Sequence, residues 1–290
     1  MGRNALRPRG GASVRGFLRY YVLVLLQDAD MSGEQMREAI RERSAENRDF
    51  RPSGQLLVEA RDMRLVLGQL SRRGLISQGD RGWRLRAAGQ NRLARYEEQR
   101  ETELNGKQRA ARKVVKLMGE PEPGQAALDV GTGEGFLAFK VADRGYRVLG
   151  IDTGGFDYSR DSIRSAIEEA KSRGGEVEFR EISAAELAET DAGFAYAVTS
   201  QAMHCMEDQR QCLDAIHRLL EPGGEFLCMD FLVGVEGFLH HGWHSFLAIS
   251  REEWEELLPE FGFTPPTCRK AGDYLVVRAR RAVRNDGEPR

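Results

Sequence analysis

The segment 126–135 constrains this chain more than any other part of its sequence. A short apolar run ends in Asp129-Val130, and the loop after it has glycine at positions 131, 133 and 135. The residues that follow, Phe136 to Ala142, favour a helix with an apolar stripe. A strand, a glycine-rich turn and a helix N-terminus together present backbone N–H groups to a ligand. The sequence therefore predicts an α/β domain with a ligand site at this turn.

The glycine spacing and the neighbouring carboxylates indicate the charge of that ligand. A dinucleotide loop has the pattern G-x-G-x-x-G, whereas this loop has G-x-G-x-G, and a P-loop is excluded because no G-K-[ST] follows. Asp129 and Glu134 would repel a pyrophosphate at short range. They suit a cationic ligand such as S-adenosylmethionine. About twenty residues past the loop, the apolar run Arg147–Ile151 ends at Asp152, where a carboxylate can accept bonds from ribose hydroxyls.

With these motifs, residues 107–281 resemble a class I S-adenosylmethionine-dependent methyltransferase of the small-molecule type. Phe194–Ser200 resembles the fourth strand of that family, and Leu219–Gly224 resembles the turn that leads into the fifth strand. Glu256–Phe263 resembles the helix end before the closing β-hairpin. The resemblance implies a Rossmann-like, seven-stranded α/β domain that uses S-adenosyl-L-methionine as its cofactor.

The resemblance also implies which residues bind this cofactor. Asp129 and the backbone of residues 131–135 would bind the methionine end, Asp152 would bind the ribose, and Ser183 with Ala184 would lie beside the adenine. Family members usually carry an acidic residue where this chain has Ser183, and a hydroxyl accepts a hydrogen bond more weakly than a carboxylate does. The expected cofactor-binding residues are Asp129, Gly131, Thr132, Gly133, Gly135, Asp152, Thr153, Ser183, Ala184 and Thr199.

Histidines indicate where the methyl acceptor would bind. All five histidines of the chain follow residue 203, in the part that resembles the methyltransferase. His204 follows the fourth strand at the carboxyl edge of the sheet, where open α/β folds bind ligands. His204 and His241 are the expected catalytic residues, as a base or as positioning groups, and the alternative is that they pack for shape. A base is needed only if the nucleophile holds a proton at neutral pH. The residues expected to line the acceptor are Tyr158, His240, Trp243 and His244.

Composition gives further limits. No metal site is predicted, because the four cysteines lack C-x-x-C spacing and no carboxylate supports the histidine group. The apolar run Tyr20–Leu26 is too short to span a bilayer, and no small-residue cleavage site follows it. We therefore expect a cytoplasmic protein without a membrane partner. The net charge of −2 divides unevenly, since residues 1–112 carry 23 basic and 14 acidic side chains and residues 113–290 carry 20 and 31.

The basic part has a helical pattern of its own. Helices are predicted over Val14–Gln27, over Ser32–Arg43 with Ser32 as N-cap, and over Gln55–Arg73. A hairpin is predicted from Leu75–Gln78 and Gly82–Leu85. Helices followed by a hairpin are typical of a winged helix-turn-helix, and the segment Arg61–Arg86 resembles the winged-helix module of PadR-like regulators.

Two roles for this module stay open at the level of sequence. It could serve dimerisation or cap the substrate of a methyltransferase that acts on a small-molecule acceptor. Alternatively, the protein is a DNA-binding transcriptional regulator that responds to S-adenosylmethionine, with Arg61, Arg64, Arg81 and Arg84 on the DNA. The predicted ranges are a disordered basic tail at 1–15, a winged-helix domain at 16–90, linker helices at 91–120, a methyltransferase domain at 121–282 and a C-terminal tail at 283–290.

Overall fold

The computed structural model describes residues 12–45, 56, 58–102, 106–154, 157–174, 176–190 and 193–283. The described chain forms two compact units. One, here called the sheet unit, contains residues 106–230 and 254–283. The other, here called the helical unit, contains residues 12–102 and 231–253. Each unit therefore contains two separate stretches of the chain.

Residues 12–102 form the first elements of the helical unit. They are α1 (Ala12–Leu25), α2 (Gly33–Ala45), α3 (Ala60–Arg72), β1 (Ile76–Gly79), β2 (Gly82–Leu85) and α4 (Ala87–Thr102). The predicted N-cap of α2 is confirmed, because the Ser32 hydroxyl accepts a bond from the Gln35 N–H and the Gln35 side chain accepts one from the Ser32 N–H. The predicted hairpin forms from β1 and β2, which pair antiparallel.

The start of α3 corrects the sequence prediction. A helix is expected from Gln55, but α3 begins at Ala60, and the described residues before it are not helical. Side chains outside this segment use its backbone groups, since the Leu56 N–H donates to the Ser44 hydroxyl and the Val58 carbonyl accepts from Arg37. These bonds hold the segment in a non-helical conformation in which the Leu56 and Val58 side chains are still buried.

Residues 106–230 contain most of the sheet unit. Its elements here are α5 (Gly106–Met118), β3 (Ala126–Val130), α6 (Phe136–Ala142), β4 (Arg147–Asp152), α7 (Asp157–Arg173), β5 (Val177–Glu181), α8 (Ala184–Leu187), β6 (Phe194–Ser200), α9 (Gln209–Leu219) and β7 (Leu220–Phe231). A 3₁₀ turn at Met203–Cys205 links β6 to α9. Four strand pairs are parallel: β3 with β4, β3 with β6, β4 with β5, and β6 with β7.

The last elements are α10 (Val235–His241), α11 (Arg251–Glu260), β8 (Thr267–Ala271) and β9 (Tyr274–Arg280). Strands β8 and β9 form an antiparallel hairpin and complete a seven-stranded sheet in the order β5-β4-β3-β6-β7-β9-β8. This sheet confirms the predicted Rossmann-like, seven-stranded α/β fold. The strand order reverses between β3 and β6, because β4 and β5 lie on one side of this pair and β7 to β9 lie on the other. The carboxyl ends of β3 and β6 therefore border a crevice, which is the usual place of a ligand in such sheets.

The second stretch of the helical unit, residues 231–253, runs from the last residue of β7 into the first turn of α11. In it, α10 and a 3₁₀ turn at Gly242–Leu247 carry aromatic side chains that pack on α1. The Phe17 ring lies 5.1 Å from that of Phe238 and 4.7 Å from that of Phe246, measured between centroids. Phe17 itself is fully buried. These rings of the second stretch thus join the hydrophobic core of the N-terminal helices.

The two units differ from the predicted ranges in three places. Helix α1 begins at Ala12, inside the expected tail, while residues 1–11 lie outside the described chain. The expected linker 91–120 contains the end of α4, which belongs to the helical unit, and α5, which belongs to the sheet unit. Residues 231–253 fall within the expected methyltransferase range but belong to the helical unit. Among the described helices, none has the length and apolar character required to cross a membrane.

Candidate active site

The glycine loop follows β3 and is folded against the end of β4. Its three glycines have positive φ values of 68°, 52° and 76° at positions 131, 133 and 135, a region that favours glycine. The N–H groups of Gly131 and Thr132 both donate to the Ile151 carbonyl, at 2.9 and 3.0 Å. Helix α6 begins directly after Gly135, as predicted.

Asp129 ties this loop to the strand from inside the protein. Its Oδ2 atom accepts from the Thr132 hydroxyl at 2.8 Å and from the Ala138 N–H at 3.1 Å. Burial raises the pKa of Asp129 to about 7, although these two bonds lower it. Its Oδ1 atom has no hydrogen-bond partner among the described residues. Asp129 was expected to touch the cofactor, but it is not among the residues that line the cavity at the loop.

Asp152 ends β4 and connects two turns. Its Oδ2 atom accepts from the Gly133 N–H at 3.1 Å, and its Oδ1 atom accepts from the Gly154 N–H at 3.2 Å. A carboxylate offers about four lone-pair positions, so both oxygens can accept a further bond. Asp152 lines the cavity, as its expected role at the ribose requires.

A cavity of about 680 Å³ opens at the glycine loop, within the size range of small-molecule sites. Four carboxylates line it, and Lys107 is the one basic residue that does so in the described chain. Seven of the residues predicted to bind the cofactor line this cavity: Gly131, Thr132, Gly133, Asp152, Thr153, Ser183 and Ala184. Gly135, which was also predicted, is the N-cap of α6.

Thr199 was also predicted to bind the cofactor, but the structure places it away from the cavity surface. It is fully buried within β6 and does not line the cavity, whereas the next residues, Ser200 and Gln201, do. Gln201 has a φ of 54°, which is uncommon for a residue with a side chain and marks a constrained position. Its amide donates to the Tyr274 hydroxyl at 2.7 Å. Sequence reasoning missed Gln201, and its place directly after β6 was the signal that could have indicated it.

Ser183 caps the short helix α8. Its hydroxyl accepts from the Glu186 N–H at 3.1 Å and donates to the Glu186 carboxylate at 2.6 Å, while its own N–H donates to the same carboxylate at 2.9 Å. This capping box occupies the donor of the hydroxyl and one of its two lone pairs. One acceptor position of Ser183 therefore remains for a ligand.

His204 forms a buried ion pair with Asp230, at the carboxyl end of β7. The His204 Nδ1 atom lies 2.7 Å from Asp230 Oδ1, and both side chains are 3% exposed. Burial lowers the pKa of His204, but the charge and hydrogen bond of Asp230, with a smaller contribution from Cys205, outweigh it and raise the pKa to about 10. This direction favours the protonated imidazole at neutral pH and does not favour a role as a general base. His204 does not line the cavity, although its neighbour Cys205 does.

Four of the other residues predicted on the acceptor side take part in contacts between aromatic rings. His241 stacks on the Phe231 ring at 4.1 Å, and His244 meets the same ring edge-on at 5.5 Å. The Trp243 ring lies 5.0 Å from the Phe238 ring, and the His240 ring lies 6.3 Å from that of His241. All four belong to the helical unit. Tyr158 lies in α7, and its side chain is outside the described part of the structure.

The cavity fits S-adenosylmethionine by the chemistry of its lining. Its carboxylates match a ligand with two cationic groups, and Asp152 offers acceptors for ribose hydroxyls. At Gly133 an added Cβ would meet nothing within 4 Å, so the turn leaves open space beside the loop. The unpartnered Oδ1 of Asp129 adds a buried acceptor behind it.

Residues 121–258 match a family model described as a methyltransferase domain. The chain is 28% identical to a demethylmenaquinone methyltransferase of Thermus thermophilus over 151 residues, which cover 52% of this chain and 64% of that protein. It is 35% identical to a ubiquinone biosynthesis O-methyltransferase of Acinetobacter baumannii over 102 residues, 35% of this chain and 41% of that protein. The chain thus spans less than two thirds of the length of each of these relatives.

A solved structure shows the same fold. A chain of the complex between the Haloferax volcanii Trm112 methyltransferase activator and a methyltransferase superposes with a TM-score of 0.51 and 18% identity, over 65% of this chain and 94% of that chain. At this identity the likeness concerns the fold alone. The matches confirm the predicted methyltransferase domain and, with it, the predicted cofactor S-adenosylmethionine.

Proposed function

We propose that the protein transfers the methyl group of S-adenosylmethionine to a small-molecule acceptor. The observation that carries this proposal is the cavity at the glycine loop of a methyltransferase domain, with Asp152 at its edge. The relatives are named for the methylation of demethylmenaquinone and for O-methylation in ubiquinone biosynthesis, which supports a small acceptor for this chain as well.

Residues of the sheet unit would hold the cofactor through hydrogen bonds and charge. Asp152 would accept from the ribose hydroxyls, and Ser183 and Ala184 would lie beside the adenine. The chemistry that bound S-adenosylmethionine supplies is an electrophilic methyl group on a sulfonium. The protein then has to align an acceptor with that group and exclude water.

His204 takes a different role from the expected one in this proposal. Because Asp230 keeps its imidazole protonated, we assign it to positioning the turn Met203–Cys205 and not to accepting a proton. The backbone N–H of His204 also donates to Asp230 Oδ2, at 3.3 Å, so the pair fixes both the ring and the main chain of this turn. The cavity-lining residues around it, Gln201 and Cys205, then face the ligand from a fixed backbone.

Calorimetric titration with S-adenosylmethionine tests the proposal. We expect binding to the wild type and an affinity at least about tenfold weaker in Asp152→Asn, because the variant loses a charge and an acceptor at the ribose. Asp143→Asn is the matched control, since Asp143 is an exposed carboxylate of the same unit that does not line the cavity. It should bind as the wild type does.

Two results would contradict these assignments separately. Wild-type affinity in Asp152→Asn would remove the role of Asp152 at the ribose. Absence of binding by the folded wild type would remove the proposed function itself. With binding established, release of S-adenosylhomocysteine across hydroxyl, amine, thiol and carbon acceptors identifies the nucleophile class.

We also propose that α2, α3 and the hairpin β1–β2 form a winged-helix module. Its support is the helix order and a β-bridge between Met31, just before α2, and Trp83 in β2. Arg61, Arg64, Arg81 and Arg84 are all exposed, and the Arg84 guanidinium also pairs with Asp30 at 2.9 Å. This pair occupies one of the four arginines expected on DNA. Dimerisation or substrate capping, with DNA binding as the alternative, remains a prediction.

A further inference from the structure

The turn that follows β6 brings a thiol, an imidazole and a carboxylate together. His204 and Asp230 form a buried ion pair, with the His204 Nδ1 atom 2.7 Å from Asp230 Oδ1 and both side chains 3% exposed. The Cys205 sulfur lies within 4.8 Å of a ring nitrogen of His204. A thiol beside an imidazole that is oriented by a carboxylate is an arrangement that activates cysteine as a nucleophile. The proposed methyl transfer does not use this thiol.

The interaction between Cys205 and His204 acts on both groups. Burial lowers the pKa of the His204 imidazole, but Asp230 and, to a smaller extent, Cys205 raise it to about 10. An attraction between two charged groups is mutual, so the contact that favours the imidazolium also favours the thiolate of Cys205. The thiolate is the nucleophilic form of cysteine. The ion pair with Asp230 therefore supplies a fixed positive charge beside the sulfur.

Other charged groups line the cavity with Cys205 and act on its sulfur in both directions. Among the described residues, the lining has one basic side chain, Lys107, and four carboxylates, Glu134, Asp152, Glu207 and Asp208. The carboxylates oppose a thiolate, but all except Asp152 are exposed, and water and salt screen exposed charges. The His204 imidazole is buried beside the sulfur, so its charge is screened much less. The same carboxylates attract cationic reagents into the cavity.

The other cysteines of the chain have different surroundings. Cys212, in α9, also lines the cavity, but burial and the charge of Asp208 raise the pKa of its thiol to about 12. Its protonated, unreactive form is therefore favoured at neutral pH. Burial also raises the pKa of the Cys228 thiol, and Cys268 is buried in β8. Cys205 is half-buried and combines access to the cavity with an adjacent imidazole.

We infer that Cys205 is a site of covalent modification, at which its thiolate forms a mixed disulfide with a small cationic disulfide that enters the cavity. The Cys205 sulfur attacks one sulfur of the reagent, the S–S bond of the reagent breaks, and the departing thiolate takes a proton from water. One disulfide is consumed and one is formed, so the reagent is the only oxidant required. The attached group occupies the cavity, and its effect on cofactor binding rests on the proposed function.

Incubation of the folded full chain with cystamine, followed by mass spectrometry of its peptides, tests the inference. We expect one cysteamine group on Cys205. Cys205→Ser should lose this modification, and Cys212→Ser, the matched control from the same cavity, should keep it. Added salt should slow the reaction with cystamine several-fold and leave the reaction with the neutral 2-hydroxyethyl disulfide unchanged, because only the cationic reagent is attracted by the carboxylates.

The pH dependence of the rate with 2-hydroxyethyl disulfide tests the role of His204. An ordinary thiol of pKa about 8.5 is only about 3% ionised at pH 7, so wild-type Cys205 should keep clearly more than this fraction of its pH 10 rate. At pH 7, His204→Gln should react about tenfold more slowly than the wild type, because the thiolate loses its adjacent positive charge. At pH 10 the thiol ionises without that charge, and the two proteins should react at similar rates.

Several results would overturn the inference. One is modification of Cys212 in place of Cys205, and another is a wild-type rate that falls with pH as that of an ordinary thiol does. Equal slowing of His204→Gln at pH 7 and pH 10 would mean that His204 only shapes the turn.

S-adenosylhomocysteine separates the inference from the proposed function. At saturating concentration it should protect Cys205 from cystamine. If the wild type binds S-adenosylhomocysteine and Cys205 reacts as fast as before, the modified thiol does not lie in the cofactor cavity and the inference fails while the proposed function stands. If the wild type does not bind S-adenosylhomocysteine, the proposed function fails, and the measured reactivity of Cys205 stands without it.

Discussion

At the scale of single residues, the contact between His204 and Asp230 has a measurable pH dependence. The pKa of His204 is raised from 6.5 to about 10 in the folded protein. A raised pKa means that the folded state holds the proton more tightly than the unfolded chain does. The resulting stabilisation is complete below pH 6.5 and is lost as the pH rises to 10.

We therefore expect the free energy of unfolding of the wild type to fall between pH 7 and pH 10 more than that of His204→Gln, by at most a few kcal/mol. Urea unfolding at pH 6, 8 and 10 measures this difference. His217→Gln is the control, because His217 lies in the same unit and packs on the Phe263 ring at 5.2 Å. Parallel curves for the wild type and His204→Gln would show that the pair is not ionised as described.

The sequence placed His204 correctly at the edge of the sheet but could not show its charge state. Its position after the fourth strand follows from the family resemblance, and β6 does end at Ser200 as that resemblance implied. Asp230 stands 26 residues later, and only the parallel pairing of β6 with β7 brings it to 2.7 Å from the ring. The protonation state depends on that long-range contact.

At the scale of elements, substitutions in the glycine loop can separate the cost of a left-handed backbone from the cost of a steric clash. Gly131 and Gly133 both have positive φ, but an added Cβ at Gly131 would clash with the Cβ of Ala202, while at Gly133 it meets nothing within 4 Å. A left-handed conformation costs a residue with a side chain about 1–2 kcal/mol. We expect Gly133→Ala to lose about this much stability and Gly131→Ala clearly more.

Urea unfolding without ligand measures both losses under the same conditions. Gly119→Ala is a suitable reference for the conformational cost alone, because it also has a positive φ, of 80°, and open space around its Cβ position. If Gly131→Ala and Gly133→Ala are equally stable, the close approach of the loop to Ala202 is not a source of constraint.

Elements with strong local signals were predictable to the residue. Helix α6 has the bounds predicted from its apolar pattern and the glycine before it, and β6 has the bounds that the family resemblance implied. The start of α3 was not predictable, because Ser44 and Arg37 of α2 form hydrogen bonds with the backbone of the residues that precede α3. Lys107 was likewise missed as a candidate, because nothing in its neighbourhood indicates that α5 starts beside the cavity.

At the scale of the whole molecule, the helical unit joins residues more than two hundred positions apart. Phe17 in α1 packs on Phe238 and Phe246, and the sheet unit has a comparable cluster in which the Phe226 ring lies 5.9 Å from both Trp254 and Phe263. Each cluster lies within one unit. Residues 12–25 and 235–247 should therefore open together.

Hydrogen exchange of the full chain tests this. Phe17→Leu should cost on the order of 1 kcal/mol and raise exchange in both 12–25 and 235–247, with little change in β3 and β4. The reciprocal variant, Phe226→Leu, should raise exchange in the sheet unit and leave α1 near its wild-type rate. Faster exchange in 12–25 without any change in 235–247 would contradict the described unit.

The sequence by itself determined the α/β class, the strand and loop that form the cofactor site, and S-adenosylmethionine as the ligand, because spacing and residue type within short segments decide these. The tertiary structure decided which groups reach the cavity: Asp129 supports the loop from behind, Lys107 joins the lining from α5, and residues 231–253 belong to the helical unit. The physical reason is that hydrogen bonds, burial and ion pairs between distant segments depend on strand order and core packing. Neither strand order nor core packing can be read from the pattern of residues within a short segment.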